Sequence, residues 1–194
     1  MKNIFSVLAG VIWLIGFLPY IRSILKGKTK PAKASWIIWL SIDILTFAGM
    51  IAKHALNGQM IGVVAGAIAV AILALIYGDR GWTKLDKWCL GSTVLGIILW
   101  LVFHDPNFGI AVALTIGIIG SFPSYVSAWR DPSRENRAGW TFFFVSCIFA
   151  IMAIPKLTFQ DMAQPIAFFV IEAIMMYILY IHTWKKAKIK AGTR

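Results

Sequence analysis

Charge is what this chain has least of. Only 14% of its 194 residues are Asp, Glu, Lys or Arg, against about a quarter in soluble globular domains, so an ordinary soluble domain is excluded. Acids are scarcer still, eight against 19 Lys and Arg. The two cysteines, Cys89 and Cys147, stand among apolar residues without Cys-x-x-Cys or Cys/His spacing, which leaves no disulfide framework or zinc motif to read and makes small packing residues of both. His54, His104 and His182 have no second ligand at metal spacing. No Ser/His/Asp cluster, His-Glu-x-x-His or P-loop occurs, and the last apolar run holds no lysine for a Schiff base. Nothing points to an enzyme, a metal or a cofactor.

Apolar residues are what the chain has in abundance, 59% of the total, with a mean hydropathy of +0.77. They form continuous runs of about 17–21 residues, enough for a helix to cross roughly 30 Å of hydrocarbon. Because the runs do not alternate, a membrane barrel is excluded. The sequence therefore predicts an all-α integral membrane protein whose first partner is the lipid bilayer. A net charge of +11 in a soluble chain would suggest nucleic acid. Here the basic residues sit in short loops beside apolar runs, where the positive-inside rule and anionic lipid account for them, and no nucleic-acid partner is expected.

Seven spans are predicted, over approximately 4–21, 35–52, 60–77, 88–103, 108–128, 139–157 and 165–184. The first closes at Pro19 and is followed by a basic loop over 22–33. Small residues in the third, Gly62-x-x-x-Gly66 and Ala65-x-x-x-Ala69, predict close helix packing.

One stretch occurs twice. Gly16-Phe17-Leu18-Pro19-Tyr20 leads through Lys28-Thr29 to Ala34-Ser35-Trp36, and Gly120-Ser121-Phe122-Pro123-Ser124 leads through Pro132-Ser133 to Ala138-Gly139-Trp140, at one constant spacing. An internal repeat marks a structural unit used twice. The fourth span has no counterpart, so the arrangement is 3+1+3: a first three-helix bundle over 1–78, a loop and linker helix over 79–107, a second bundle over 108–184 and a basic tail over 185–194. Placing the loops after spans one, three and five together with the tail puts sixteen of the 19 Lys and Arg on one side, leaving Lys2, Lys53 and Lys156 on the other. That asymmetry sets the N-terminus outside and the C-terminus in the cytosol of a cell with its protein in the cytoplasmic membrane.

The twice-used Gly-x-x-Pro at a helix end, followed by a basic loop and by a small residue and Trp, resembles the PQ-loop motif of the SWEET-like transporter superfamily, which also holds SemiSWEETs, cystinosin-like exporters and the KDEL receptor. The motif's Pro-Gln is replaced by Pro19-Tyr20 and Pro123-Ser124. The resemblance implies two parallel bundles packed in the order 1-3-2, a pocket between them open to alternate sides, and Pro19 and Pro123 as hinges with Gly16 and Gly120 packing closely beside them.

Asp43 and Glu172 are the sharpest candidates for function, because a carboxylate in mid-span is costly and normally faces a bundle interior or a wet cavity. The competing reading is a polar contact between helices, with Ser41, Thr46 or Ser146 facing Asp43. Trp36, Trp39 and Phe47 share a helical stripe with Asp43, which suits a cation or an apolar ring. Cys147 falls at the repeat position of Asp43 and joins the candidates. Trp36 and Trp140 open mirrored helices and read as interface anchors or pocket aromatics. Phe168, Phe169, Met175 and Met176 read as packing.

The resemblance implies, for a sugar carrier, a polar residue in the middle of both the third and the seventh spans. The seventh has Glu172 but the third has only Gly, Ala and aliphatics at that depth, so a neutral-sugar pocket is less favoured than one for a charged or zwitterionic solute. The sequence thus predicts a small secondary transporter or facilitator working by alternating access, with protons as a candidate coupling ion and a homo-oligomer as a candidate assembly. The alternative is a receptor or scaffold on the same fold, as in the KDEL receptor.

Overall fold

The computed structural model describes residues 2–78 and 82–183. Arg80 of the second loop, Trp184 and the basic tail over 185–194 lie outside the described residues. Seven helices form: α1 Lys2–Leu25, α2 Lys33–Ala52, α3 Gly58–Tyr77, α4 Lys84–Phe103, α5 Pro106–Arg130, α6 Arg137–Met152 and α7 Phe159–Met176, the last continuing as a π-helical turn over Tyr177–His182. No strand occurs among the described residues. Six helices are long and apolar enough to cross a membrane, α6 being shorter with 16 residues. Outward-facing Ile4, Leu18, Ile76 and Val102 are each more than 60% exposed, a surface suited to lipid. The chain is a multi-pass membrane protein.

The helix ends differ from expectation where local chemistry overrides hydropathy. Helix α1 continues through Pro19 to Leu25, so the basic loop starts at Lys26. Helix α4 starts at Lys84 because Thr83 and Asp86 cap each other: the Thr83 N–H donates to Asp86 Oδ2 at 2.7 Å and the Asp86 N–H to Thr83 Oγ1 at 3.1 Å. Helix α6 stops at Met152, before Pro155, rather than reaching Leu157. Helix α7 starts six residues before Pro165, at Phe159, which places Asp161 in its first turn.

Asn57, Asp105 and Asn136 cap α3, α5 and α6, each side chain accepting a backbone N–H at 2.7–2.9 Å. At the end of α2, His54 takes a left-handed conformation, φ 54°, with its own N–H on Ile51 O and that of Ala55 on Met50 O. Glycine usually fills that capping position.

Helix α3 packs between α1 and α2, and α7 between α5 and α6; the two groups meet where α1 packs on α6 and α2 on α5, with α4 against α5 and α2. Of the small residues of α3, Gly62 and Gly66 pack closely as expected, whereas Ala65 and Ala69 are exposed and do not. A β-carbon on Gly62 would meet the Gly10 carbonyl oxygen at 2.7 Å, and one on Gly66 would overlap the Phe17 ring.

The two meeting faces repeat each other. Gly16 on α1 lies against Phe142 and Phe143 of α6, and Gly120 on α5 lies against Ile38 of α2, the repeat position of Phe142. A β-carbon on Gly139 would sit 3.2 Å from the Gly16 carbonyl oxygen, and the Ser35 hydroxyl donates to the Gly120 carbonyl oxygen at 2.6 Å. Between the loops, the Lys30 N–H donates to the carbonyl oxygen of Arg134, its repeat equivalent, at 3.0 Å.

Candidate functional site

Between the two groups of helices lies a narrow cavity. Asp43 from α2 and Glu172 from α7 both line it, each only 4% exposed. They are its two charged residues; the rest of the wall is aromatic and aliphatic. None of the partners considered for Asp43 reaches it: the Ser41 hydroxyl donates to Ile37 O, that of Ser146 to Ala9 O, and Thr46 Oγ1 is buried without a partner. Glu172 Oε2 is likewise buried without a partner among the described residues.

Five aromatic side chains in the wall form a closed circuit. Phe143 meets Trp140, Trp140 meets Trp39, Trp39 meets Trp36, Trp36 meets Phe17 and Phe17 returns to Phe143, with ring centroids 5.0–6.3 Å apart. Trp13 stacks on Phe143 at 4.7 Å and touches Phe168 at 5.7 Å. Trp36 and Trp140 are therefore not interface anchors: they are 5% and 2% exposed and turned into the cavity. Phe168 also stands in the wall rather than in simple packing.

At the end of the cavity facing the basic loops, the sequence gives no hint of what closes it. Glu135, in the polar segment between Arg134 and Arg137, is 5% exposed. Its Oε2 accepts the Trp140 indole N–H at 2.8 Å and the Tyr20 hydroxyl at 2.9 Å. The Tyr20 oxygen in turn accepts the Trp36 indole N–H at 3.3 Å. Burial pushes the Glu135 carboxyl up to about 7, although the Trp140 and Tyr20 hydrogen bonds and the Arg134 charge pull the other way. One loop carboxylate thus ties α1, α2 and α6 together beneath the aromatic circuit.

The opposite end is closed by amides. Gln59 Nε2 donates to Ser146 Oγ at 3.1 Å and to Cys147 Sγ at 3.3 Å, while its Oε1 accepts Gln164 Nε2 at 2.9 Å. Gln164 Oε1 accepts Asn57 Nδ2 at 2.8 Å. Beyond this network a second, more polar hollow is lined by Lys2, Ser6, Asn57 and Asp161. On α1 and α6 the network lies in register between the two hollows, the Ala9 carbonyl between Ser6 and Trp13 and Ser146 between Phe143 and Ala150. Cys147 belongs to this network and is fully buried behind the cavity wall.

Pro123 is buried inside α5, and Pro19 is half-buried inside α1. Next to Pro123 the Ser35 hydroxyl accepts the Ser124 N–H at 3.2 Å and donates to Gly120 O, bridging two groups that pair with each other in an uninterrupted helix. The Cys89 thiol lies 3.5 Å from Ile119 O, the carbonyl that Pro123 leaves without its helical donor.

No family model, no curated protein and no solved structure matches the chain.

Proposed function

We propose that the protein is a small secondary transporter or facilitator that moves a small polar solute, charged or zwitterionic, by alternating access. The observation that carries this reading is the shared cavity: two carboxylates from different helix groups face one space, with a hydrogen-bonded closure at each end. Intramembrane acids facing a cavity between internal repeats are the usual furniture of a midplane transport site.

In this reading the chain is a 3+1+3 membrane protein of the PQ-loop, SWEET-like kind, with α1 to α3 and α5 to α7 as duplicated parallel bundles and α4 as their linker. The paired contacts of Gly16 and Gly120, and that of Lys30 with Arg134, support it, because equivalent residues meet on a two-fold axis. The N-terminus is outside, and the Glu135 closure faces the cytosol. Rocking of the bundles about Pro19 and Pro123 opens the ends in turn, and Asp43 or Glu172 carries the coupling proton.

Flux tests the reading. Reconstituted protein is given labelled amines, amino acids and sugars, and uptake is compared with that of Glu172→Gln and Asp43→Asn. Uptake lost on neutralising either acid is the expected result. Saturable binding with no uptake of anything bound would instead make the protein a receptor.

A further inference from the structure

We propose that the cavity is selective for a small organic monocation, a quaternary or aromatic ammonium ion without a carboxylate of its own. This deepens the transport reading by naming the solute class for the same cavity. Among the described residues, the wall holds two acids and no basic side chain. A zwitterion would bring its carboxylate against Asp43 and Glu172 with no cation to receive it. A sugar would need a dense set of donors and acceptors, which the wall does not offer. The indole N–H groups of Trp36, Trp39 and Trp140 are already committed, to Tyr20, to Gly117 O and to Glu135. Among the described residues that leaves the Trp13 N–H, buried and unpartnered.

What the wall does offer is aromatic faces. The circuit of Phe17, Trp36, Trp39, Trp140 and Phe143 surrounds the space that the acids face. Aromatic faces attract cations through their quadrupole, tryptophan most strongly, and more so when water is excluded. A diffuse organic cation loses less hydration than a metal ion on entering such a cage, and its single charge is met by a carboxylate. The two features answer the same ligand: the acids supply the opposite charge and the rings supply contact with its alkyl or aromatic shell.

The test compares choline with its uncharged carbon isostere, 3,3-dimethyl-1-butanol, on the full-length protein in detergent, by quenching of tryptophan fluorescence and by shift of the melting temperature. Choline should bind about tenfold or more tightly than the isostere, and tetramethylammonium should compete with it. Asp43→Asn and Glu172→Gln, if they remain monodisperse, should remove the preference. Equal binding of choline and its isostere, or binding of neither, overturns the proposal without variants being needed. Flux of some other solute in that case leaves the transport reading standing. Choline binding without choline flux keeps the cation site and removes the transport reading.

Discussion

The Tyr20 hydroxyl donates to Glu135 Oε2 at 2.9 Å across 115 residues of sequence, joining a membrane helix to the loop that follows α5. The same hydroxyl oxygen accepts the Trp36 indole N–H, so one group links both repeats at the loop end of the cavity. Tyr20→Phe removes that link and keeps the ring, which touches Trp36, Trp140 and Phe143. It leaves the Trp36 N–H without a buried acceptor, at a cost of about 1–3 kcal/mol. The melting temperature should fall, and a cysteine placed at Ile42 in the cavity wall should react faster with a thiol reagent supplied from the Glu135 side. An unchanged labelling rate would show that the hydroxyl does not hold this end closed.

Glu135 also predicts a pH dependence. With its carboxyl held up to about 7 by burial, against an ordinary value of 4.5, the folded protein keeps the proton across a range in which the unfolded chain releases it. Stability is therefore lost as pH rises from about 4.5 to about 7 and is level beyond, by about 3 kcal/mol at 1.36 kcal/mol per pH unit. Glu135→Gln keeps an acceptor for Tyr20 and does not titrate. The melting temperature of the wild type should fall more steeply between pH 5 and pH 8 than that of the variant, whatever slope the other acids give to both. Parallel slopes would mean that Glu135 does not carry the proton.

Ser35 bridges the open rung of α5 beside Pro123. Ser35→Ala leaves the Gly120 carbonyl and the Ser124 N–H to pair directly or remain unmet, at a cost of about 1–3 kcal/mol if unmet. Hydrogen exchange reports this locally: the Ser124 amide should exchange faster in the variant, while amides early in α5 keep their rates. The second repeat has Gly139 at the position of Ser35, so Gly139→Ser removes no such bridge, and Tyr20 and the Gly16 carbonyl, both 3.1–3.2 Å from a β-carbon there, must give by a few tenths of an ångström to admit it.

How far the site could be read without coordinates depends on the kind of signal. Asp43 and Glu172 were legible because an acid inside an apolar run is conspicuous in one dimension, and the structure does bring both to one cavity. The seven helices were legible for the same reason, with ends misplaced where capping at Thr83 or the proline at 155 decides them. The inward turn of Trp36 and Trp140 was not, because in a membrane helix the lipid face and the core face are both apolar and periodicity cannot tell them apart. Glu135 was hidden by its neighbours: between two arginines it looks solvated, and its burial comes from Tyr20, far away in sequence. Gln59 and Gln164 sit in the first turn of α3 and the second turn of α7, near helix ends where a polar side chain is unremarkable until its partner is known.

Gln59 gives the last prediction, at the other end of the cavity. Its amide is fully used: the nitrogen donates twice, to Ser146 and Cys147, and the oxygen accepts from Gln164. Gln59→Leu keeps the volume but orphans the Gln164 amide and one acceptor site on Ser146, each worth about 1–3 kcal/mol when buried unmet. Gln164→Leu orphans the Gln59 oxygen in the same way. Because the two side chains serve each other, the double variant should be less destabilised than the sum of the singles, by about 0.5–3 kcal/mol in a thermodynamic cycle. A cysteine at Val63, on the cavity side of the network, should label faster in Gln59→Leu when reagent is supplied from the Lys2 side, with no change from the Glu135 side. Additive losses, or labelling that rises equally from both sides, would mean that the amides pack the helices together and do not close this end.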